Sequence, residues 1–269
     1  MNQELERYVA QAIAGDKQAL EQVLLGVKDL IYNLSVKMLL FPEDAEDATQ
    51  EILIKLVTRL STFRGQSQFT TWVYRVASNY LLTIKGKKSR EFSMDFEQYA
   101  HFIDMGQSHQ VRAASNAGEL LLLEEEVKVS CTQGLLLCLD PPHRLTYILG
   151  DILEFPGKEG ARVLSIAPET FRQQLSRSRK KIRNFLRHKC GLINPSNPCR
   201  CLKKVDFLAN QGLINTSELR FAKFKERSID LMETIEAMEK ETAVYRSNPN
   251  LQAPESITAN LKRLLRNAN

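Results

Sequence analysis

Phe63, Phe69 and Trp72 bracket a short polar loop that also carries Arg64, and the loop opens onto a helical pattern bearing Arg75 and Asn79. Aromatic faces beside cations can hold unstacked bases while tracking a phosphate backbone. Trp72, Arg75 and Asn79 recur at i, i+3 and i+7, the spacing of one helix face. An exposed face with those side chains can stack on a base and hydrogen-bond base edges or phosphate. Lys85, Lys87, Lys88 and Arg90 follow at the far end of the pattern. The plain alternative makes Trp72 a core anchor and Arg75 a surface charge.

A second such segment spans residues 158–187 and has the layout of a helix-turn-helix. Ala161, Val163 and Leu164 mark a short helix, Ser165-Ile166-Ala167 a turn, and Pro168 the first turn of a longer helix, where proline is tolerated. Phe171, Leu175, Ile182 and Leu186 form the core stripe, with Ser178 filling a gap. Thr170, Arg172, Gln173, Ser176 and Arg177 face elsewhere. Arg and Gln near a helix start can pair with guanine and adenine edges in the major groove. Arg179, Lys180, Lys181, Arg183 and Arg187 suit phosphate contacts that fix register. A basic amphipathic helix alone also describes calmodulin targets and membrane-surface helices. The proline-started helix after a tight apolar turn narrows the reading.

Five acids and no base fall in residues 42–51, which open on Pro42, a helix start signal. Ala45, Ala48, Ile52, Leu56 and Leu60 share a core face, while Asp47, Gln50, Glu51 and Ile54 lie on another. Acids also suit the helix dipole, so a solvated N-terminus is the alternative to a docking face. Further on, His188, Cys190, Cys199 and Cys201 offer an imidazole and three thiols, enough for a tetrahedral zinc site. Their spacing is unlike the common Cys-x-x-Cys knuckles. Arg187, Lys189, Arg200, Lys203 and Lys204 should lower the thiol pKa values, favouring metal binding or oxidation. A Pro/Asn-rich turn with incidental cysteines is the alternative. Cys131 and Cys138, seven apart on an apolar helix, read as core residues.

The elements that must position these groups read as all-α, because apolar residues recur at helical spacing and strand alternation is absent. The 269 residues suffice for two or three small domains, and 43% hydrophobic content supports real cores. Residues 1–90 read as one helical domain, 91–116 as a linker without a sustained period, and 117–189 as a second helical domain. Residues 190–269 then form a Cys-containing loop and a helical extension. In that extension Asn215 and Glu218 suggest a capping-box start. Phe221, Phe224, Leu231, Ile235, Met238 and Tyr245 suggest one long helix before a break at Ser247-Asn248-Pro249-Asn250. A helix packed on its own domains is weighed there against a regulatory tail.

The net charge of +5 conceals an asymmetry: residues 170–205 hold eleven Lys or Arg and no acid, so the remainder is net negative. Such a patchwork fits a protein meeting nucleic acid on one surface and a basic protein on another. There is no apolar run of membrane-spanning length and no signal pattern at the N-terminus, so a cytosolic location without membrane insertion is expected. Five cysteines in that setting argue against a disulfide scaffold. No nucleophile–base pair, phosphate loop or carboxylate pair stands out, which argues against an enzyme.

Together these segments resemble a sigma factor of bacterial RNA polymerase, of the extracytoplasmic function (ECF) class. Pro42 to Glu51 resembles the acidic start of the polymerase-binding helix. Phe63-Arg64-Gly65 through Asn79 resembles the promoter-melting loop and the helix that reads the −10 element. Leu139-Asp140-Pro141-Pro142-His143-Arg144 resembles the start of the second domain, and Leu164 to Arg179 the −35 helix-turn-helix. The resemblance implies that Asp44, Asp47, Gln50 and Glu51 meet the clamp helices of the polymerase β′ subunit, with the β flap as a further contact. It implies that Phe63, Arg64, Phe69, Trp72, Arg75 and Asn79 hold single-stranded −10 DNA. Thr170, Arg172, Gln173, Ser176, Arg177 and Arg179 would engage the −35 duplex. Core polymerase, promoter DNA and a separate anti-sigma protein are the implied partners, and no cofactor is required beyond the candidate zinc. Gly160 and Glu169 depart from the family pattern, and Gly160 inside a short helix costs about 1 kcal/mol relative to Ala. Two rivals remain: a helix-turn-helix regulator acting without polymerase, and a zinc- or thiol-dependent sensor acting through protein binding.

Overall fold

Proline starts and helical periodicity carry through to the backbone: in the computed structural model the described residues form helices and no strand. The structure describes residues 2–84, 86–106, 117–222 and 240–267. The chain opens with α1 (Asn2–Ile13), α2 (Lys17–Leu39), α3 (Pro42–Arg59), α4 (Phe69–Thr83) and α5 (Lys87–Glu91). It continues through α6 (Phe96–Met105), α7 (Ala117–Leu137), α8 (Pro141–Tyr147), α9 (Gly157–Leu164), α10 (Pro168–Lys189) and α11 (Val205–Asn210). It ends with α12 (Lys240–Arg246) and α13 (Glu255–Asn267).

These helices divide between two compact units. The first gathers Met1–Glu91, Pro156–Phe171 and Asn250–Asn269; the second gathers Phe92–Phe155 and Arg172–Pro249. The chain therefore returns to the first unit twice after leaving it.

In the first unit, Asp16 caps α2 by accepting from the backbone N–H groups of Gln18 and Ala19. Pro42 occupies the first turn of α3. The expected stripe of Ala45, Ala48, Ile52, Leu56 and Leu60 is buried, and α3 packs on α2 and α4, where Val23, Val27, Ile31, Val73, Ala77 and Leu81 are buried too. Helix α4 begins at Phe69, with Gln68 at its N-cap and no side-chain capping hydrogen bond. Its open N-terminus is served from α1, where the Glu6 carboxylate accepts from the Phe69 N–H at 3.0 Å. An acid there complements the positive end of the helix dipole.

In the second unit, α7 is the central element. Arg144 from α8 is buried and donates to the carbonyls of Leu136, Leu137 and Leu139 at 2.8–3.0 Å. A guanidinium thus satisfies the orphan carbonyls at the C-terminus of α7. Burial brings the Arg144 pKa down to about 10.

Two expectations are corrected here. Within the expected linker, Asp95 and Gln98 form a reciprocal capping box that starts α6. Tyr99, Phe102 and Ile103 of α6 are then buried, with the Tyr99 hydroxyl donating to the Cys131 carbonyl at 2.7 Å. Residues 107–116 lie outside the described residues. The expected long C-terminal helix does not start at Asn215. Its side chain accepts from the N–H groups of Ser217 and Glu218, but residues 211–222 stay non-helical. The cap-like hydrogen bonds close an Asx turn rather than a helix. Phe224, Leu231, Ile235 and Met238 fall outside the described residues; Phe221 and Tyr245 are buried.

Candidate nucleic-acid and polymerase interfaces

The aromatic loop in the first unit assembles as a cluster. Phe63 meets Phe69 edge-to-face at 5.3 Å, Phe69 stacks on Trp72 at 5.6 Å, and Phe63 lies 5.7 Å from Trp72. Such pairs contribute about 0.5–1.5 kcal/mol beyond their burial. Phe69 is fully buried and Trp72 is only 9% exposed. The expectation of an exposed Trp72–Arg75–Asn79 face is therefore corrected: Trp72 anchors the core, Arg75 is half-buried, and Asn79 is exposed. Arg64 is exposed on the loop. Gly65 adopts a left-handed φ of 67° with open space around it, so the loop needs glycine for its turn rather than for packing.

Helix α9 explains part of this burial, because it packs on α4 within the same unit. The Thr71 hydroxyl donates to the Glu159 carboxylate at 2.7 Å. Thr71 and Ser78 are buried, and burial pushes the Tyr74 pKa up to about 12. The Arg75 Nε and Ser78 hydroxyl are buried without a hydrogen-bond partner among the described residues. Donors left unpaired at an internal contact cost about 1–3 kcal/mol each.

Gly160 has its reason in the same unit. A Cβ at this position would lie 2.4 Å from the Phe171 ring of α10. The glycine that weakens α9 by propensity thus permits close approach of the two helices. Gly160→Ala is expected to destabilise by about 1–3 kcal/mol, because the clash outweighs the helix-propensity gain of about 1 kcal/mol. Urea unfolding checks this; a stabilised variant would disprove it.

Helix α3 presents its acids unequally. Asp47 and Glu51 are exposed and one turn apart, and their charges contribute, after burial, to the raised pKa of Tyr80. Gln50 is half-buried. Asp44 is otherwise engaged: its carboxylate accepts from both the backbone N–H and the hydroxyl of Ser89 at 3.0 Å. That removes Asp44 from a freely presented set, since it fixes α5 onto α3.

On α10, Phe171, Leu175, Ile182 and Leu186 are buried as expected, and Ser178 fills its gap with its hydroxyl donating to the Gln174 carbonyl at 2.9 Å. Ser165 supplies the turn with a left-handed φ of 55°. Thr170, Arg172, Gln173, Ser176 and Arg177 are all exposed on the helix. Arg179 departs from its expected role. It forms a bidentate ion pair with the buried carboxylate of Asp151, Nε and Nη2 donating at 2.5–2.9 Å. A buried Asp needs such a partner, so Arg179 is tied to Asp151 while its side chain stays 47% exposed.

The expected metal set is not brought together. The His188 ring is exposed and its Nδ1 donates to the Asn184 carbonyl at 2.7 Å. Among the described residues no three His, Cys, Asp or Glu side chains form a metal-binding group. Cys190, Cys199 and Cys201 instead line, with Cys131, a cavity of about 30 Å³ beside the buried Lys204. Burial raises the pKa of Cys190 and Cys199 and holds Cys201 well above the ordinary thiol value. The neighbouring Lys and Arg do not overcome that desolvation, which corrects the expectation of lowered thiol pKa values.

Comparison with known proteins places these elements in a family. The model described as sigma-70 region 2 matches residues 26–91, covering most of α2 and all of α3, α4 and α5. The "ECF RNA polymerase sigma factor SigW" of Bacillus subtilis (strain 168) is 27% identical over 187 residues, which is 70% of this chain and 99% of its own length. The "ECF RNA polymerase sigma-E factor" of Escherichia coli (strain K12) is 26% identical over 174 residues, 63% of this chain and 87% of its own. A solved structure titled "Structure of CnrH in complex with the cytosolic domain of CnrY" aligns with a TM-score of 0.47 at 17% identity, covering 68% of this chain and 97% of that one. The chain thus matches sigma-70 region 2 on α2–α5 and is similar, over 63–70% of its length, to RNA polymerase sigma factors of the ECF class.

Proposed function

We propose that this chain binds core RNA polymerase through α2 and α3, opens the −10 element at the loop and start of α4, and reads the −35 duplex with α10. The observation that carries the reading is the match of sigma-70 region 2 to residues 26–91, where the exposed Asp47–Glu51 pair and the Phe63–Phe69–Trp72 cluster lie. Asp47 and Glu51, with Gln50, present the acidic face to the β′ clamp helices. The β flap and promoter DNA complete the assembly, and an anti-sigma protein is a further partner. Arg64 on the loop and Asn79 on α4, both exposed, contact the melted strand, while Trp72 holds the loop. Thr170, Arg172, Gln173, Ser176 and Arg177 are the duplex-reading set. The factor works in the cytoplasm, without a cofactor and without an active site of its own; among the described residues no helix is long and apolar enough to cross a membrane.

Run-off transcription with core polymerase across a promoter library tests the reading. Initiation that depends on both core and this chain is expected; none on closed or pre-melted templates would defeat it. Reversing the acidic pair, Asp47→Lys with Glu51→Lys, is expected to lower core affinity about tenfold or more, because like charges then face a basic partner. Both side chains are exposed, so the fold should be untouched. Unchanged core affinity by fluorescence titration would remove this face from the interface.

A further inference from the structure

The C-terminal segment is built into the first unit against the helix pair α2–α3. Asn33 of α2 reads its backbone twice, donating from Nδ2 to the Leu251 carbonyl at 2.6 Å and accepting at Oδ1 from the Leu251 N–H at 2.8 Å. Asp29, one turn earlier, accepts from the Ala253 N–H at 2.8 Å. On α3 the Glu46 carboxylate accepts from the Ser256 hydroxyl at 3.1 Å. Ile257 is 0% exposed and Leu261 is buried with it, so α13 lays an apolar stripe on the pair. The charges match as well: α13 carries the exposed Lys262 and Arg263, while the start of α3 carries five acids and no base. On a helix of 3.6 residues per turn, Glu46 lies beside Gln50 and next to the Asp47–Glu51 stripe.

We propose that residues 250–267 form an internal brake on polymerase binding, occupying the part of the α2–α3 surface beside Asp47 and Glu51 and giving way when core polymerase binds. This rests on the reading that α2–α3 is the polymerase-binding surface. A basic amphipathic helix on an acidic one is a local stand-in for a basic partner. A ligand that binds only the uncovered form has its affinity reduced by the fraction uncovered. The brake therefore sets how much polymerase this factor claims at a given concentration. The two backbone amides held by side chains, Leu251 and Ala253, are the latch, because their loss leaves Asn33 and Asp29 free to solvent rather than stranded.

The test uses the full chain with core polymerase. Ile257→Asp places a carboxylate in the covered apolar stripe beside acidic α3 and should release the segment. Its affinity for core is expected to rise about tenfold over the unaltered chain, and a peptide of residues 250–267 added in trans should reverse the gain. Amide hydrogen exchange on the unaltered chain gives a second measurement that no folding defect can confuse. Protection at Leu251 and Ala253 is expected in the free protein and lost in the complex with core. Unchanged affinity of a folded Ile257→Asp chain, or retained protection in the complex, overturns the brake. A chain that binds core in neither form overturns both the brake and the reading beneath it.

Discussion

Trp72→Ala is expected to destabilise the first unit by about 3–5 kcal/mol, the range for removing a large buried aromatic side chain. Trp72 is 9% exposed and joins Phe63 and Phe69 in one cluster, so its removal opens a cavity and also breaks two ring contacts. The variant should melt at a distinctly lower temperature. Near that temperature its run-off activity should fall equally on closed and pre-melted promoters, because the loss lies in the population of folded factor. Asn79→Ala is the contrasting variant. Asn79 is exposed, so stability should stay within about 0.5 kcal/mol while promoter opening suffers. Trp72→Ala with an unchanged melting temperature, and a defect confined to closed templates, would return the indole to direct base stacking. The two ends of one helical stripe thus differ in the structure: Trp72 packs in the aromatic cluster, while Asn79 is exposed.

That distinction shows where sequence reasoning reached its limit. Periodicity places Ala45, Ala48, Ile52 and Leu56 inside, and Phe171, Leu175, Ile182 and Leu186 likewise, because an apolar stripe is set by helical spacing whatever element covers it. Pro42 and Pro168 marked two helix starts for the local reason that proline has no N–H to lose there. Trp72, Arg75 and Asn79 do share a helix face, but spacing cannot say that α9, about ninety residues later, packs on α4. Arg179 has the same history: a cation near a recognition helix reads as a phosphate contact until Asp151 is found buried beneath it. The basic residues around the cysteines suggested acidic thiols, but burial is a three-dimensional property and it dominates. Helix α6 is legible in the sequence. Asp95 followed by Gln98 is a capping-box signature, and Tyr99, Phe102 and Ile103 repeat at helical spacing after it.

Glu126→Ala is expected to cost the second unit about 3–5 kcal/mol, the scale for leaving several buried donors without their acceptor. Glu126 lies on α7 at 0% exposure. Its carboxylate accepts from three consecutive backbone N–H groups, those of Arg220, Phe221 and Ala222, at 2.7–2.8 Å. Removal of the acceptor leaves buried donors unpaired, each costing about 1–3 kcal/mol unless water enters. Glu126→Gln should cost less, since the amide oxygen has two lone pairs and can serve two donors, while the NH2 group confronts the third. Burial, working against those donors, leaves the Glu126 pKa above its ordinary value. A raised folded pKa contributes stability at low pH that is lost as the pH rises through it, and Glu126→Gln should remove that dependence. Urea unfolding at several pH values checks all three points; an Ala variant as stable as the unaltered chain would refute the clamp. The same geometry constrains how the C-terminal extension can be probed. Cutting the chain at residue 206 removes the three donors and strands a buried carboxylate on α7. Loss of transcription after such a cut would report a damaged second unit, not a regulatory function. Point changes such as Ile257→Asp, which leave residues 220–222 on Glu126, separate the two.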